Sequence, residues 1–358
     1  MQSIKFSKTD EQQFFSTLRK RVNNYFKENS LDKTGNLTSY VKVVVMFTLY
    51  LGPLILMYAG VISSWWCIAA YAVVGLGKAG VGLAVMHDAN HGSFSKYKWV
   101  NEVLSYSMNM IGGSSFTWKV QHNILHHSFT NIHHLDEDIE DKPFLRLSPF
   151  GKKKAYHKFQ HLYALFLYAL ATVSWIGAKD FRQMAIYHKN GTTVQNGFNP
   201  TKVTITMYTT KIAYFAFLLI LPMIFVAQWY IILLGFLTMH LVAGFIITVI
   251  FQLAHVVEGT DHHDISEGPV MENTWAIHQI HTTANFATKS KWLTWMIGGL
   301  NHQIEHHLFP HISHVHYPQL SKIVKSTVKE FGLPYHEYSR MTSALASHLR
   351  MLKQIGAA

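Results

Sequence analysis

The sequence predicts an all-α integral membrane protein: four transmembrane helices in two hairpins, with a cytosolic helical cap that carries a histidine-rich site. Three observations predict it. Only 14% of the 358 residues are charged and 49% are hydrophobic, whereas a soluble domain carries about 25% charged residues. The apolar residues gather into long runs free of Asp, Glu, Lys and Arg, one between Lys42 and Lys78 and another between Lys211 and Glu258. The histidines crowd into three short clusters beside the apolar stretches.

The elements follow in order. Residues 1–40 form a cytosolic N-terminal segment, within which 9–29 have the pattern of an amphipathic helix. One membrane crossing takes about 20 residues, so the first uncharged run is divided into crossings at 43–62 and 65–86, joined by Ser63-Ser64. Trp65 and Trp66 stand where interfacial aromatics are expected. Lys78 is costly inside a crossing; the reading adopted is that the second helix leaves the bilayer early and projects into the cytosol as far as His87. The second run is divided near Ala227–Tyr230 into crossings at 208–226 and 229–253, with His255 at the inner end. Two further uncharged stretches, 103–118 and 162–178, are short for a crossing. An odd number of crossings between any two histidine clusters would put them on opposite faces of the membrane, so both stretches are read as interfacial or re-entrant helices. The short outer turns carry no Lys or Arg, in agreement with the positive-inside rule, and both termini are expected in the cytosol. Residues 254–358 complete the cap. No internal repeat is apparent, and 1–358 are read as a single domain.

The net charge of +11 falls outside the apolar runs. It is assigned to a membrane surface or a phosphate-bearing carrier, not to nucleic acid. Cys67 is the only cysteine, which excludes a disulfide within the chain and a thiolate metal site. A cleavable secretory signal is not expected, since no apolar run precedes residue 43 or so.

The clusters read His87-Asp-Ala-Asn-His91, His122-Asn-Ile-Leu-His126-His127 and His302-Gln303-Ile-Glu-His306-His307. Residues four apart share a helix face, so each cluster can aim two or three imidazoles at one point. Imidazole suits iron, zinc, copper and nickel, and these ligands outnumber what one four-coordinate ion takes. Two metal ions are the economical explanation. Hydrolytic sites use fewer histidines and include carboxylates, so the pattern favours a redox-active pair acting with dioxygen. The flanking apolar helices suggest a substrate that enters from lipid.

In this order around two helical hairpins, the HDxxH, HxxxHH and QIEHH boxes resemble those of the integral-membrane fatty acid desaturases. Asn301 to Pro310 is similar to the third box of the front-end subgroup, in which Gln replaces the first histidine. The resemblance covers roughly residues 40–325 and implies a non-haem diiron site, dioxygen as co-substrate with two external electrons, and removal of two hydrogens from a long acyl chain on a lipid or coenzyme A. Carried over by position, it makes His87, His91, His122, His126, His127, His306 and His307 iron ligands and His255 the isolated ligand between boxes two and three. Gln303 stands where many desaturases have a histidine ligand, and either it or His302 takes that place. Asp88, Asn131, Asp138, Glu258 and Glu305 lie in or beside ligand segments and are candidates to orient the imidazoles. The chain has no His-Pro-Gly-Gly haem motif and no room for a cytochrome b5 domain, so a separate donor is expected, a ferredoxin or free cytochrome b5 with its reductase; this points to a bacterial inner membrane with the active site cytosolic.

Solvent-facing or supporting roles are expected for His133 and His134 after box two, and structural roles for His278 and His281 on one helical face, His240 within a crossing, and His311, His314 and His316 in the cap. Two other functions compete. A hydroxylase, ketolase or alkane monooxygenase would insert oxygen with the same boxes. A metal transporter or storage protein would bury ionisable residues along its crossings, and here the crossings hold few, His240 and Lys78 among them.

Overall fold

The computed structural model describes residues 4–7, 13–268 and 270–358. It is mostly helical; among the described residues the strands are two-residue pieces paired into parallel ladders. The chain divides into two compact units, each built from separated segments: a first unit of 1–36, 121–165 and 250–358, and a second of 37–120 and 166–249.

Among the described residues, four helices are long and apolar enough to cross a membrane: Leu37–Tyr58, Trp66–Asn90, Pro200–Phe225 and Trp229–His255. They coincide with the four expected crossings, but two begin earlier. Charge-free runs mark where lipid is tolerated, whereas a helix continues through polar residues until its caps. The third thus starts at Pro200, where the Asn199 side chain accepts a hydrogen bond from the Lys202 amide at 2.9 Å and proline's fixed φ suits the first helical position. A further pair, Ala155–Ala169 and Ala171–Lys189, is bent by 58° and would make a fifth span if it crossed as one; it contains the 162–178 stretch. The 103–118 stretch is broken into the short helices Lys98–Ser105, Ser107–Met110 and Ser115–Trp118, and Gly112 between the last two takes a left-handed φ of +90°.

Within the second unit Leu37–Tyr58 packs closely on Trp66–Gly80, because Gly77 lies directly against the backbone of Leu49 and Tyr50. Gly75 similarly abuts the Met239 carbonyl. The π-helical turn Ala216–Ile220 offers its Phe217 and Leu218 carbonyls to the hydroxyls of Tyr58 at 2.7 Å and Tyr71 at 2.6 Å. Lys78 does not need to escape the apolar helices. It is buried, donates to the Tyr214 hydroxyl at 2.9 Å and lies 3.3 Å from His240 Nδ1. His240 is the buried, hydrogen-bonded residue expected, since Tyr214 also meets its Nε2 at 3.0 Å and Thr172 its Nδ1 at 2.9 Å.

The first unit contains the helix Phe14–Glu28, whose buried stripe of Phe14, Leu18, Val22 and Phe26 repeats every four residues. Residues 9–12 of the expected helix lie outside the described ones. That stripe joins a core with Leu320, Val324 and Val328 of Tyr317–Glu330 and with Ile304, Leu308 and Ile312; full burial of such side chains contributes roughly 1.5–3 kcal/mol each. Three short ladders, Lys5–Phe6 with Val270–Met271, Ile132–His133 with His263–Asp264, and Asn285–Phe286 with Glu337–Tyr338, tie loops distant in sequence. The Arg146 guanidinium donates to the carbonyls of Gly151 at 2.7 Å and Ile355 at 2.6 Å, docking the C-terminal helix Met341–Ala357.

Candidate metal centre

Box two does not lie on a regular α-helix. Residues Lys119–His126 form a π-helical segment. In an α-helix, residues five apart point about 140° away from each other, so His122 and His127 would diverge. The i→i+5 ladder of a π-helix brings them into line, and their Nε2 atoms stand 3.3 Å apart. All three histidines of the box can then face one way.

In the first unit these imidazoles meet others. His126, His255 and His307 are buried, with one nitrogen from each lying within 4.8 Å of the rest, and His127, His306 and His307 form a second such trio. Ring centroids are 4.6 Å apart for His126 and His255, 4.8 Å for His255 and His307, 4.4 Å for His127 and His307 and 4.6 Å for His127 and His306. His306 and His307 occupy the helix Gln303–Leu308, and His255 ends the helix Trp229–His255.

Each ring is held from behind. His126 Nδ1 donates to Asp136 Oδ2 at 2.9 Å, His307 Nδ1 to Gln279 Oε1 at 2.7 Å, and His255 Nδ1 to the Thr282 carbonyl at 3.4 Å. An acceptor oxygen at Nδ1 places the proton there and leaves Nε2 with its lone pair. The Nε2 atoms of His126, His255 and His307 are buried without a hydrogen-bond partner. Buried polar groups without partners are costly; convergent imidazole lone pairs suit a cation, and the residues present fit a histidine-ligated metal. His306 Nδ1 meets the Tyr317 hydroxyl at 3.1 Å.

Electrostatics follow this layout. Burial opposes a charged His126, but the Asp136 carboxylate outweighs it and raises the pKa above the ordinary value. Burial likewise opposes the Asp136 carboxylate, yet His126 and two backbone N–H groups hold its pKa below the ordinary value. Burial and neighbouring imidazoles keep His307 neutral, far below the usual range.

The remaining predicted residues are placed as follows. His302 is buried, with both nitrogens lacking a hydrogen-bond partner; among the described residues it joins none of the histidine and acid clusters. Gln303 is buried at the first position of the helix that carries His306 and His307. In the second unit, His87 and His91 pair with ring centroids 4.8 Å apart, both edge-on to Trp118 at 5.6 and 5.8 Å; a π-helical turn, Val81–Met86, precedes them.

Of the five candidate orienting groups, Asp88 lies 3.9 Å from His87 Nδ1, Asp138 3.8 Å from His126 Nδ1 and Glu305 3.8 Å from His302 Nδ1, all beyond hydrogen-bond reach. Asn131 acts on backbone, donating to the carbonyls of His255 at 2.9 Å and Asp261 at 3.1 Å. Glu258 is engaged by Arg350 at 2.6 Å and Ser347 at 3.1 Å. Glu305 accepts from Asn285 at 2.7 Å and Tyr335 at 3.0 Å, and burial pushes its pKa up to about 7. Partners that do reach the rings include Asp136, Gln279, Tyr317 and Thr282. Asp136 sits in the acidic run after box two, where the sequence carries a signal; the other three are brought in by the fold.

The comparisons with known proteins decide the family. A fatty acid desaturase family model matches residues 63–339. The chain belongs to the fatty acid desaturase family. It is similar to the sn-1 linoleoyl-lipid 6-desaturases of Arthrospira platensis, 33% identical over 96% of this chain and 92% of the relative, and of a Synechocystis strain, 33% identical over 99% and 98%. An acyl-lipid (8-3)-desaturase of Physcomitrium patens is 31% identical over 99% of this chain and 74% of its own length. The desaturase is therefore an oxidoreductase of fatty-acyl chains, and its long apolar helices are those of a membrane protein.

Proposed function

We propose that this desaturase holds two iron ions and introduces a double bond into the acyl chain of a membrane lipid, on the carboxyl side of existing double bonds. The observation that carries the metal reading is the convergence of buried imidazoles of which His126, His255 and His307 offer unpartnered Nε2 atoms. The ligand set proposed is His122, His126, His127, His255, His306 and His307, to which the family resemblance adds His87 and His91 and one of His302 and Gln303. When bound, the irons would supply the dioxygen chemistry that removes two vicinal hydrogens.

The chain's own residues perform the rest. Asp136, Gln279 and the Thr282 carbonyl fix the tautomers and ring planes of His126, His307 and His255, so little reorganisation is needed on loading. Phe251 lies against the His126 and His255 rings at 5.0 Å and limits water there. The acyl-lipid and carboxyl-side assignments are supported by the names of the full-length relatives. The distribution of Lys and Arg supports two hairpins with the histidine-bearing segments on the cytosolic side. The electrons are proposed to come from an external carrier of ferredoxin or cytochrome b5 type.

Metal analysis of the purified protein should give about two irons per chain, lowered in His307→Ala. Expression in a host lacking polyunsaturated lipids, fed defined fatty acids, should yield products with a double bond nearer the carboxyl end than in the substrate, first on glycerolipid. Products only on coenzyme A, or only nearer the methyl end, would overturn the substrate assignment.

A further inference from the structure

Just beyond box two the chain carries a second group of potential ligands that the proposed diiron set does not use. His133 closes the short strand Ile132–His133, and His134 follows with a left-handed φ of +72°. Glu140, six residues on, folds back toward both. Its Oε1 lies 3.9 Å from His133 Nδ1 and 3.7 Å from His134 Nδ1 and also accepts the His134 backbone N–H. The two imidazoles lie ring to ring at 4.1 Å, and the three ligand atoms fall within 4.8 Å of one another.

Two further features point to a cation. His133 is 2% exposed, and its buried Nδ1 has no hydrogen-bond partner although Glu140 lies nearby. Such a nitrogen is costly to bury unless something binds it. The carboxylate of Asp264, the residue paired with His133 across the ladder, adds negative charge on the same side. The side chains of His134 and Glu140 reach solvent at 54% and 29% exposure, so an ion can enter from water without crossing the core.

We propose that His133, His134 and Glu140 form a second metal site, for one divalent transition ion of the zinc class. Ligand atoms at about 2.0–2.2 Å from one tetrahedral ion stand roughly 3.3–3.6 Å apart, so the carboxylate–imidazole separations of 3.9 and 3.7 Å need only a small contraction. Two imidazoles and a carboxylate leave a fourth position for water. The ion would staple positions 133 and 140, and between them lies Asp136, which orients His126. The site thus gives the loop behind the diiron ligand an external clamp.

The test is cobalt and zinc titration of the full-length, iron-loaded protein, following bound metal by elemental analysis and the visible spectrum of cobalt. The comparison is His134→Asn with Glu140→Gln: Asn tolerates the left-handed backbone, and the Gln amide oxygen can still accept the His134 N–H. Wild type should take up one added ion per chain with iron retained, and the loop amides of 131–140 should gain hydrogen-exchange protection. The double variant should lose that ion while keeping its iron. Equal uptake by both proteins, uptake only as iron is displaced, or uptake with no added protection of 131–140 would overturn the proposal.

Discussion

Replacing Asp136 by Asn tests whether the imidazoles are set from behind. Asp136 is fully buried; Oδ2 accepts from His126 Nδ1 at 2.9 Å and from the Asn131 amide at 3.0 Å, while Oδ1 accepts from the Asp138 amide at 3.0 Å. Asparagine removes the charge and turns one of the two oxygens into a donor. Whichever way it sits, at least one buried N–H then faces an N–H, a loss of about 1–3 kcal/mol. The charge-assisted bond to His126 contributes about 1.5–3 kcal/mol, matching the roughly 10–100-fold in metal affinity or activity that partners of ligand histidines typically supply. D136N should therefore bind iron at least about tenfold more weakly in a chelator competition and unfold at a lower temperature. D138N is the control: at 3.8 Å that carboxylate makes no hydrogen bond to His126, and it should fall well short of that loss. Unchanged iron affinity in D136N, or an equal defect in D138N, would refute the reasoning.

Removing iron with a chelator should lower the thermal midpoint, because a ligand at 100 times its Kd adds about 2.7 kcal/mol; differential scanning fluorimetry in detergent reads it. Lys78→Met should leave that midpoint unchanged or raised, since Met replaces a buried amine while Tyr214 and His240 keep each other as partners. His240→Leu in the same assay should be more damaging, as Lys78, Tyr214 and Thr172 each lose a contact. Gly77→Ala should destabilise by about 1–3 kcal/mol, because its Cβ would run into the backbone of Leu49 and Tyr50. At low pH the Glu258–Arg350 pair should weaken. Hydrogen bonding to Arg350 holds the Glu258 carboxyl below its ordinary value of 4.5, so its stabilisation is present above that value and lost as pH falls through the lowered one. Glu258→Gln should flatten the acid limb of the stability curve.

What the sequence determined by itself is what composition and short spacing encode. Charge-free runs long enough for a bilayer mark the four long helices, because burying a charge in lipid is expensive whatever the fold. The histidine boxes are local in the chain, so their residue types and intervals announce metal chemistry before any packing is known. Only the tertiary structure could decide how the rings are held. The π-helical register that turns His122 and His127 to one side depends on packing rather than on residue type, and helix periodicity alone would have separated them. Gln279 and Tyr317 reach His307 and His306 from other helices, and a partner chosen across space leaves no mark at a fixed spacing. Asp136 and Asp138 look alike in an acidic run; the turn that follows Asn131 brings one carboxylate to 2.9 Å and leaves the other at 3.8 Å, and hydrogen bonding distinguishes those distances where sequence cannot.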